Sequence, residues 1–197
     1  MPLPLDLPLP ASFDDTALQM ERLKEITNFL RNDERCQGAA LVGSFAKGTA
    51  DRMSDLDLIV YARDEEVGEI ADGLRGLIPD EDVLWSFSGH YDDFSVFTKC
   101  ILLNFTSVEF SVIGTSTTSR FKLRRPYIEL ANRNSFLSSR VSDLPTIDKA
   151  EFPVYVNGER GLMWELFSYL KRLRRGQVES VKKDLLRLAG EISRTLD

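Results

Sequence analysis

The run Ser54-Asp55-Leu56-Asp57-Leu58-Ile59-Val60-Tyr61 sets the terms for any fold this chain adopts. Its β-rich composition from Leu56 to Tyr61 predicts a strand. Side chains alternate faces along a strand, so Leu56 and Leu58 point into a core while Asp55 and Asp57 share the opposite face. Two carboxylates one strand repeat apart repel each other unless something positive sits between them. A hard divalent cation with oxygen ligands meets that need, and Mg²⁺ fills its remaining positions with water and substrate phosphates.

The segment upstream fits the same chemistry. Residues 38–42, Gly-Ala-Ala-Leu-Val, read as a short apolar strand ending at Gly43. Gly43 lets the backbone approach a ligand closely, and the amides of the turn after it, with the Ser44 hydroxyl, suit phosphate oxygens. Gly43 and Gly48 have the glycine spacing of a P-loop, but Thr49 stands where that motif needs lysine, so the P-loop reading fails. A lone Gly-Ser is usually a turn and a lone Asp-x-Asp is common on surfaces. Together, in this order between two apolar strands, they are far more specific.

Around these strands the chain alternates between helical and extended patterns. Asp14 or Asp15 is placed to cap a helix running to about Arg31, with Leu18, Leu23, Ile26, Phe29 and Leu30 as its buried stripe. Glu65 to Leu77 predicts a second helix closed by Pro79. Strands are expected at 83–87, 96–103 and 107–113, the last two joined as an antiparallel hairpin by Asn104-Phe105-Thr106. A further strand is expected at 126–130, then an irregular stretch over 135–158 broken by Pro145 and Pro153. Two helices close the chain, from about Gly161 to Arg175 and from Val178 to Thr195, with Gly176 as a stop between them.

Within the hairpin, Glu109 interrupts the apolar run Val108 to Val112. An isolated buried carboxylate is costly, so this one is paired, metal-bound or on a solvated face. Ser107, Glu109 and Ser111 alternate as a polar face should. A tight hairpin also allows Glu109 to stand against the edge that carries Asp55 and Asp57.

Composition narrows the alternatives. The chain has 197 residues, 43% hydrophobic content and a net charge of −6. That balance disfavours a protein living on non-specific phosphate contacts, so no stable nucleic-acid partner is expected. No apolar run approaches the roughly 18 residues of a membrane span. The opening MPLPLDLPLP alternates with proline and lacks a basic start, and reads as an extended arm rather than a targeting signal. Cys36 and Cys100 stand apart, with no Cys-x-x-Cys and no histidine companions, which fits a reducing cytoplasm. The single histidine, His90, falls in a polar, turn-like segment and is expected to be a loop residue.

Val42-Gly43-Ser44, then Ser54-Asp55-Leu56-Asp57, then Glu109 in a later apolar strand together resemble the signature of the DNA polymerase β-like nucleotidyltransferase superfamily. The resemblance covers residues 25–115 most strongly. It implies an α+β fold: a mixed-sheet nucleotidyltransferase core over 1–135, with 1–12 as the extended arm, and a C-terminal helical subdomain over 136–197. It implies two Mg²⁺ ions held by Asp55, Asp57 and Glu109, which are also the catalytic residues. ATP or another nucleoside triphosphate would be the co-substrate, with Gly43, Ser44, Lys47 and Ser54 on its binding side.

The closing helices are similar, more loosely, to those of small antibiotic nucleotidyltransferases of the lincosamide and aminoglycoside types. There a segment like Phe167-Ser168-Tyr169-Leu170-Lys171-Arg172-Leu173-Arg174-Arg175-Gly176 supplies a basic residue to the triphosphate, and Lys171 is the choice here. Some kanamycin-type relatives carry a glutamate base near the position of Ser168. Its absence leaves Glu109 and Glu165 as candidates. Helical spacing assigns Leu166, Tyr169, Leu170 and Leu173 to a packed stripe and leaves Lys171, Arg172, Arg174 and Arg175 either on a solvated face or on phosphate. Arg124 and Arg125 are further candidates for substrate contact.

The resemblance implies transfer of a nucleoside monophosphate, most often AMP, to a hydroxyl of a small molecule such as an antibiotic, with release of pyrophosphate. The rival readings are an AMP-transferring antitoxin acting on a protein tyrosine, a nucleotide-binding sensor without turnover, and a polynucleotide polymerase. The acidic balance speaks against the last. A homodimer is expected by analogy with the antibiotic-modifying relatives alone.

Overall fold

The computed structural model describes residues 15–117, 122–143 and 154–195. Its centre is a six-stranded mixed sheet. In chain order the strands are β1 (Cys36–Val42), β2 (Asp55–Ala62), β3 (Val83–Asp92), β4 (Ser95–Leu102), β5 (Ser107–Gly114) and, later, β7 (Ile128–Asn132). Their spatial order is β3-β4-β5-β2-β1-β7. Only β2 and β5 pair in parallel within this sheet; all its other neighbours are antiparallel. A separate parallel pair joins β6 (Leu123–Arg124) to β8 (Val141–Ser142). The fold is therefore α+β with a mixed sheet and C-terminal helices, as the family resemblance implies.

One sheet face is closed by two helices, α1 (Ala17–Asn32) and α3 (Val67–Gly76). Leu23, Ile26 and Leu30 of α1 and Val67, Ile70 and Leu74 of α3 pack on Leu56, Leu58, Val60, Val108, Phe110 and Val112. These strand residues are every second position of the central parallel pair, so strand alternation alone puts the apolar set on one face. Leu56 and Leu58 are fully buried there, as expected from the run that carries Asp55 and Asp57.

The opposite face is covered only at its margins. At one end Ala40, Tyr61, Ile113, Leu123 and Leu137 form a small cluster. At the other, Trp164 and Phe167 of α4 (Gly158–Arg174) pack on Ile101, with Trp85 beside them. The second closing helix, α5 (Val178–Ser193), packs on α4 through Tyr169, Val181 and Leu188. Gly176 between the helices has φ +74, the left-handed conformation that ends a helix most readily at glycine. Between the two clusters lies a half-open stretch of sheet that carries Asp55, Asp57, Ile59, Glu109 and Ser111.

Several element boundaries differ from expectation. Strand β1 begins two residues earlier, at Cys36. The predicted helix from Glu65 opens as a 3-10 turn, Asp64–Glu66, before α3. The strand expected at 126–130 lies at Ile128–Asn132. The stretch after it is a 3-10 segment, Arg133–Arg140, with Asn134 and Ser135 at positive φ, followed by β8. Strand β3 runs on through Gly89, His90 and Tyr91, so His90 is an exposed residue of an edge strand rather than a loop residue. Pairing with β4 carries the polar run into the sheet, and Gly89 makes room for an aromatic ring: a Cβ there would stand 2.7 Å from Phe97 Cζ. The extended arm expected at 1–12 lies outside the described residues, as do Pro145 and Pro153. No described helix is long and apolar enough to cross a membrane.

Phe110 sits at the centre of the closed face, 1% exposed. Phe110→Ala is expected to lower unfolding free energy by about 3–5 kcal/mol, the cost of a lost aromatic side chain plus the cavity it leaves. Urea denaturation of the full chain measures it.

Candidate active site

The half-open face brings the predicted carboxylates into register. Asp57 of β2 is the parallel partner of Glu109 on β5, and Asp55 is the partner of Ser107. On the other side of β2, Asp57 pairs with Val42, the last residue of β1. The chain then turns at Gly43 into α2, a single helical turn, Gly43–Ala46. Gly43 has φ +70, and a Cβ at this position would lie 2.0 Å from Asp57 Oδ2. The glycine is therefore demanded twice, by the left-handed backbone and by the aspartate seated against it. Ser44 lies in the same turn, half-buried, and Lys47 is exposed at its end.

Each outer carboxylate holds a lysine. Asp55 Oδ1 accepts hydrogen bonds from the Ser107 hydroxyl and from Lys171 Nζ. Glu109 Oε1 accepts from Lys99 Nζ at 2.7 Å. Lys99 belongs to β4 and is the register partner of Glu109. Lys171 comes from α4 and is only 3% exposed, its Nζ 4.9 Å from the ring centre of Phe167 and 5.4 Å from that of Trp164. The same Trp164 ring lies 4.6 Å from Lys99 Nζ. One indole thus stands beside two ammonium groups, each paired with a different carboxylate of the sheet.

These contacts change the reading of α4. Its sheet-facing stripe is Trp164, Phe167 and Lys171. Of the four residues expected to be packed, only Tyr169 is buried, and it faces α5; Leu166, Leu170 and Leu173 are 43–44% exposed. The charged residue takes the core-facing position because a carboxylate waits there to meet it. A solvated face is thereby excluded for Lys171. Glu165 acts on Tyr169, whose phenol is pushed up to about 12, first by burial and then by the charges of Glu165 and Asp184. Arg125 stacks over Tyr127, with its guanidinium carbon 5.5 Å from the ring centre, beside the small β6 sheet. Arg172 pairs with Asp184 on α5 at 2.5 Å.

A second link ties the end of α4 to the loop between Gly43 and Asp55. Arg175 grips Asp51 through Nε and Nη2, both at 2.7 Å, in the two-pronged geometry that suits a guanidinium. Ser54, 2% exposed, donates to Asp51 Oδ1 at 3.1 Å and accepts from the Asp51 amide at 2.9 Å and from Arg175 at 3.3 Å. The Ser54 hydroxyl is thus committed inside the loop rather than turned to the open face. From below, the buried Gln19 side chain donates to the carbonyls of Arg52 at 2.8 Å and Ser54 at 3.3 Å. Burial works against the ionised Asp51, yet Arg175 and Ser54 outweigh it and hold its carboxyl below the ordinary value of 3.8.

The donor set fits a hard divalent ion. Mg²⁺ takes one or two carboxylates and fills the rest of its shell with water and phosphate oxygens, and Asp55 and Asp57 on one face of β2 are carboxylates of that kind. Among the described residues no three His, Cys, Asp or Glu side chains are gathered tightly enough to enclose a metal by themselves. Lysines hold Asp55 and Glu109 instead.

Two variants test the geometry. Gly43→Ala is expected to cost about 1–2 kcal/mol through the left-handed backbone and to push Asp57 aside, which calorimetric titration with Mn²⁺ reads as weakened binding. Asp51→Asn is expected to flatten the acid limb of a stability-against-pH profile. The folded-state pKa lies below 3.8, so the unfolded chain takes up the proton first. Asp51 therefore contributes its full stabilisation above that value and loses it as pH falls through the folded-state pKa.

No curated protein gives a match to the chain. A family model described as a nucleotidyltransferase domain matches residues 21–128, from α1 through the start of β7, and includes Gly43, Ser44, Asp55, Asp57, Lys99 and Glu109. That span is more than half of the chain and contains all the strand residues on which the open face is built. The chain belongs to the nucleotidyltransferase domain family, with nucleotidyl transfer as its class of reaction and a nucleoside triphosphate as its implied substrate.

Proposed function

We propose that the protein moves a nucleoside monophosphate, AMP from ATP, onto a hydroxyl of a small molecule of the antibiotic kind. The observation that supports this most is the register of Asp57 with Glu109, with Asp55 on the same face and Gly43 seated against Asp57. Asp55, Asp57 and Glu109 would hold two Mg²⁺ ions. When bound, such ions neutralise phosphate charge and acidify the attacking hydroxyl.

The chain's own groups do the remaining work. Gly43, Ser44 and Lys47 would receive the β- and γ-phosphates where the backbone turns out of β1. The acceptor oxygen forms its bond to the α-phosphorus as the bond to the β-phosphate oxygen breaks, so pyrophosphate leaves with that oxygen. Glu109 is the carboxylate we assign to take the hydroxyl proton, because it shares the open face with Asp57, whereas Glu165 lies toward Tyr169 and α5. Lys99, absent from the sequence reading, orients Glu109 through Oε1. Ser54 acts indirectly, by fixing the loop that leads into Asp55.

The test is incubation with labelled ATP, GTP, CTP or UTP, Mg²⁺ and a panel of aminoglycosides and lincosamides. Pyrophosphate release that needs ATP and one acceptor is the expected result. Nucleotide binding without release from any pair would overturn the reading in favour of a sensor. Asp55→Asn and Asp57→Asn are each expected to cut turnover by about a thousandfold or more, since an ion supplies several kcal/mol of charge stabilisation. Turnover like that of the unmodified chain in either variant would remove the metal site.

A further inference from the structure

The most buried cation among the described residues has no part in the transfer step itself. Lys171 is 3% exposed and reaches across from α4 to a carboxylate of the sheet. Removing an ammonium from water is expensive, and it persists only where an opposite charge and further contacts compensate. Here the compensation is Asp55, with Ser107 Oγ at 3.4 Å and two aromatic faces around the ammonium. Asp55 Oδ1 receives both the Lys171 and the Ser107 donors. The carboxylate that a divalent ion would share is therefore already held by a positive charge.

We propose that Lys171 is a resident counter-cation, which holds Asp55 while no metal is bound and is expelled from it when a divalent ion enters. This rests on the reading of Asp55 and Asp57 as a metal site. A divalent cation and an ammonium on one carboxylate repel each other, so their occupancies are mutually exclusive in proportion to that repulsion. Lys99 is built differently. It sits on a strand in register with Glu109, so the sheet ladder fixes its backbone. Lys171 hangs from a helix that meets the sheet through Trp164 and Phe167 and, at β3, through Arg160 on the Ser88 carbonyl, and its ammonium ends a flexible four-carbon stem. On release it would be available to the triphosphate that accompanies the metal. The exchange would order events: metal displaces lysine, and lysine then meets nucleotide.

The structure also supplies a reporter. Trp164 lies within 5.4 Å of Lys171 Nζ, and departure of that ammonium alters the field on the indole. In a Trp85→Phe chain, Trp164 is the one remaining tryptophan. Titrating that chain with Mg²⁺ in the absence of nucleotide is expected to shift Trp164 emission, with a midpoint equal to that of metal binding. Emission that stays constant while metal binds would overturn the proposal, and this measurement leaves position 171 intact.

The direct comparison measures Mn²⁺ binding by loss of the free-ion electron paramagnetic resonance signal, again without nucleotide. Lys171→Met is expected to tighten binding about tenfold, within the usual range for two coupled ligands. Equal or weaker binding would show Lys171 to be a structural tether and overturn the proposal alone. Absence of Mn²⁺ binding in both chains would instead remove the metal site itself, and this proposal with it. Asp57→Asn serves as the reference for that second outcome.

Discussion

Asp57 and Glu109 are neighbours on two hydrogen-bonded strands, and Asp55 stands one pleat away on the same face. Three negative groups so placed repel one another, and the surroundings of the face are arranged against that repulsion. Lys99 comes from the adjoining strand, and Lys171 from a helix that follows more than a hundred residues after Asp55. The aromatic ring of Trp164 keeps both ammonium groups close and away from bulk water. Placement of α4 on the sheet thus follows from electrostatics as much as from its few apolar contacts. Asp51 repeats the theme at the loop, where Arg175 supplies the opposing charge.

The two faces of the sheet divide labour along the same strands. Leu56, Leu58, Val108 and Phe110 belong to the closed face, and Asp55, Asp57, Ser107 and Glu109 to the open one. Strand pleating makes this separation automatic, so the core can be apolar and rigid without compromising the polar side. The parallel pairing of β2 and β5 is what brings the carboxylates level with each other. It requires a long connection, which α3 and the β3–β4 pair supply.

Much of this arrangement was legible in the residues. Alternation in the run from Asp55 to Tyr61 gave both the strand and its two faces, because a period of two admits no other assignment. Gly43 was legible as a point of close approach, though the group that approaches is Asp57 itself. The pairing of Glu109 with Lys99 also had a signal. Counting outward from the Asn104-Phe105-Thr106 link sets Lys99 opposite Glu109 once Leu102 faces Thr106. The α4 stripe was misread because hydrophobic spacing alone ranks leucine above lysine for a packed position. Only the sheet reveals that a carboxylate lies beneath. The grip of Arg175 on Asp51 had no local signal, since the partners are 124 residues apart.

That last contact bears on where the working unit ends. The family match closes at residue 128, inside β7. A piece cut there would keep Asp51, Asp55, Asp57 and Glu109, yet of Lys99, Lys171 and Arg175, which pair with three of them, it would retain Lys99 alone. Asp55 on the face and Asp51 in the loop would each lose the cation that pairs with it. The boundary drawn by shared ancestry and the boundary drawn by ion pairing therefore fall in different places. The cations that answer this face and its loop extend to Arg175, so the helix that ends there is part of the face that it covers.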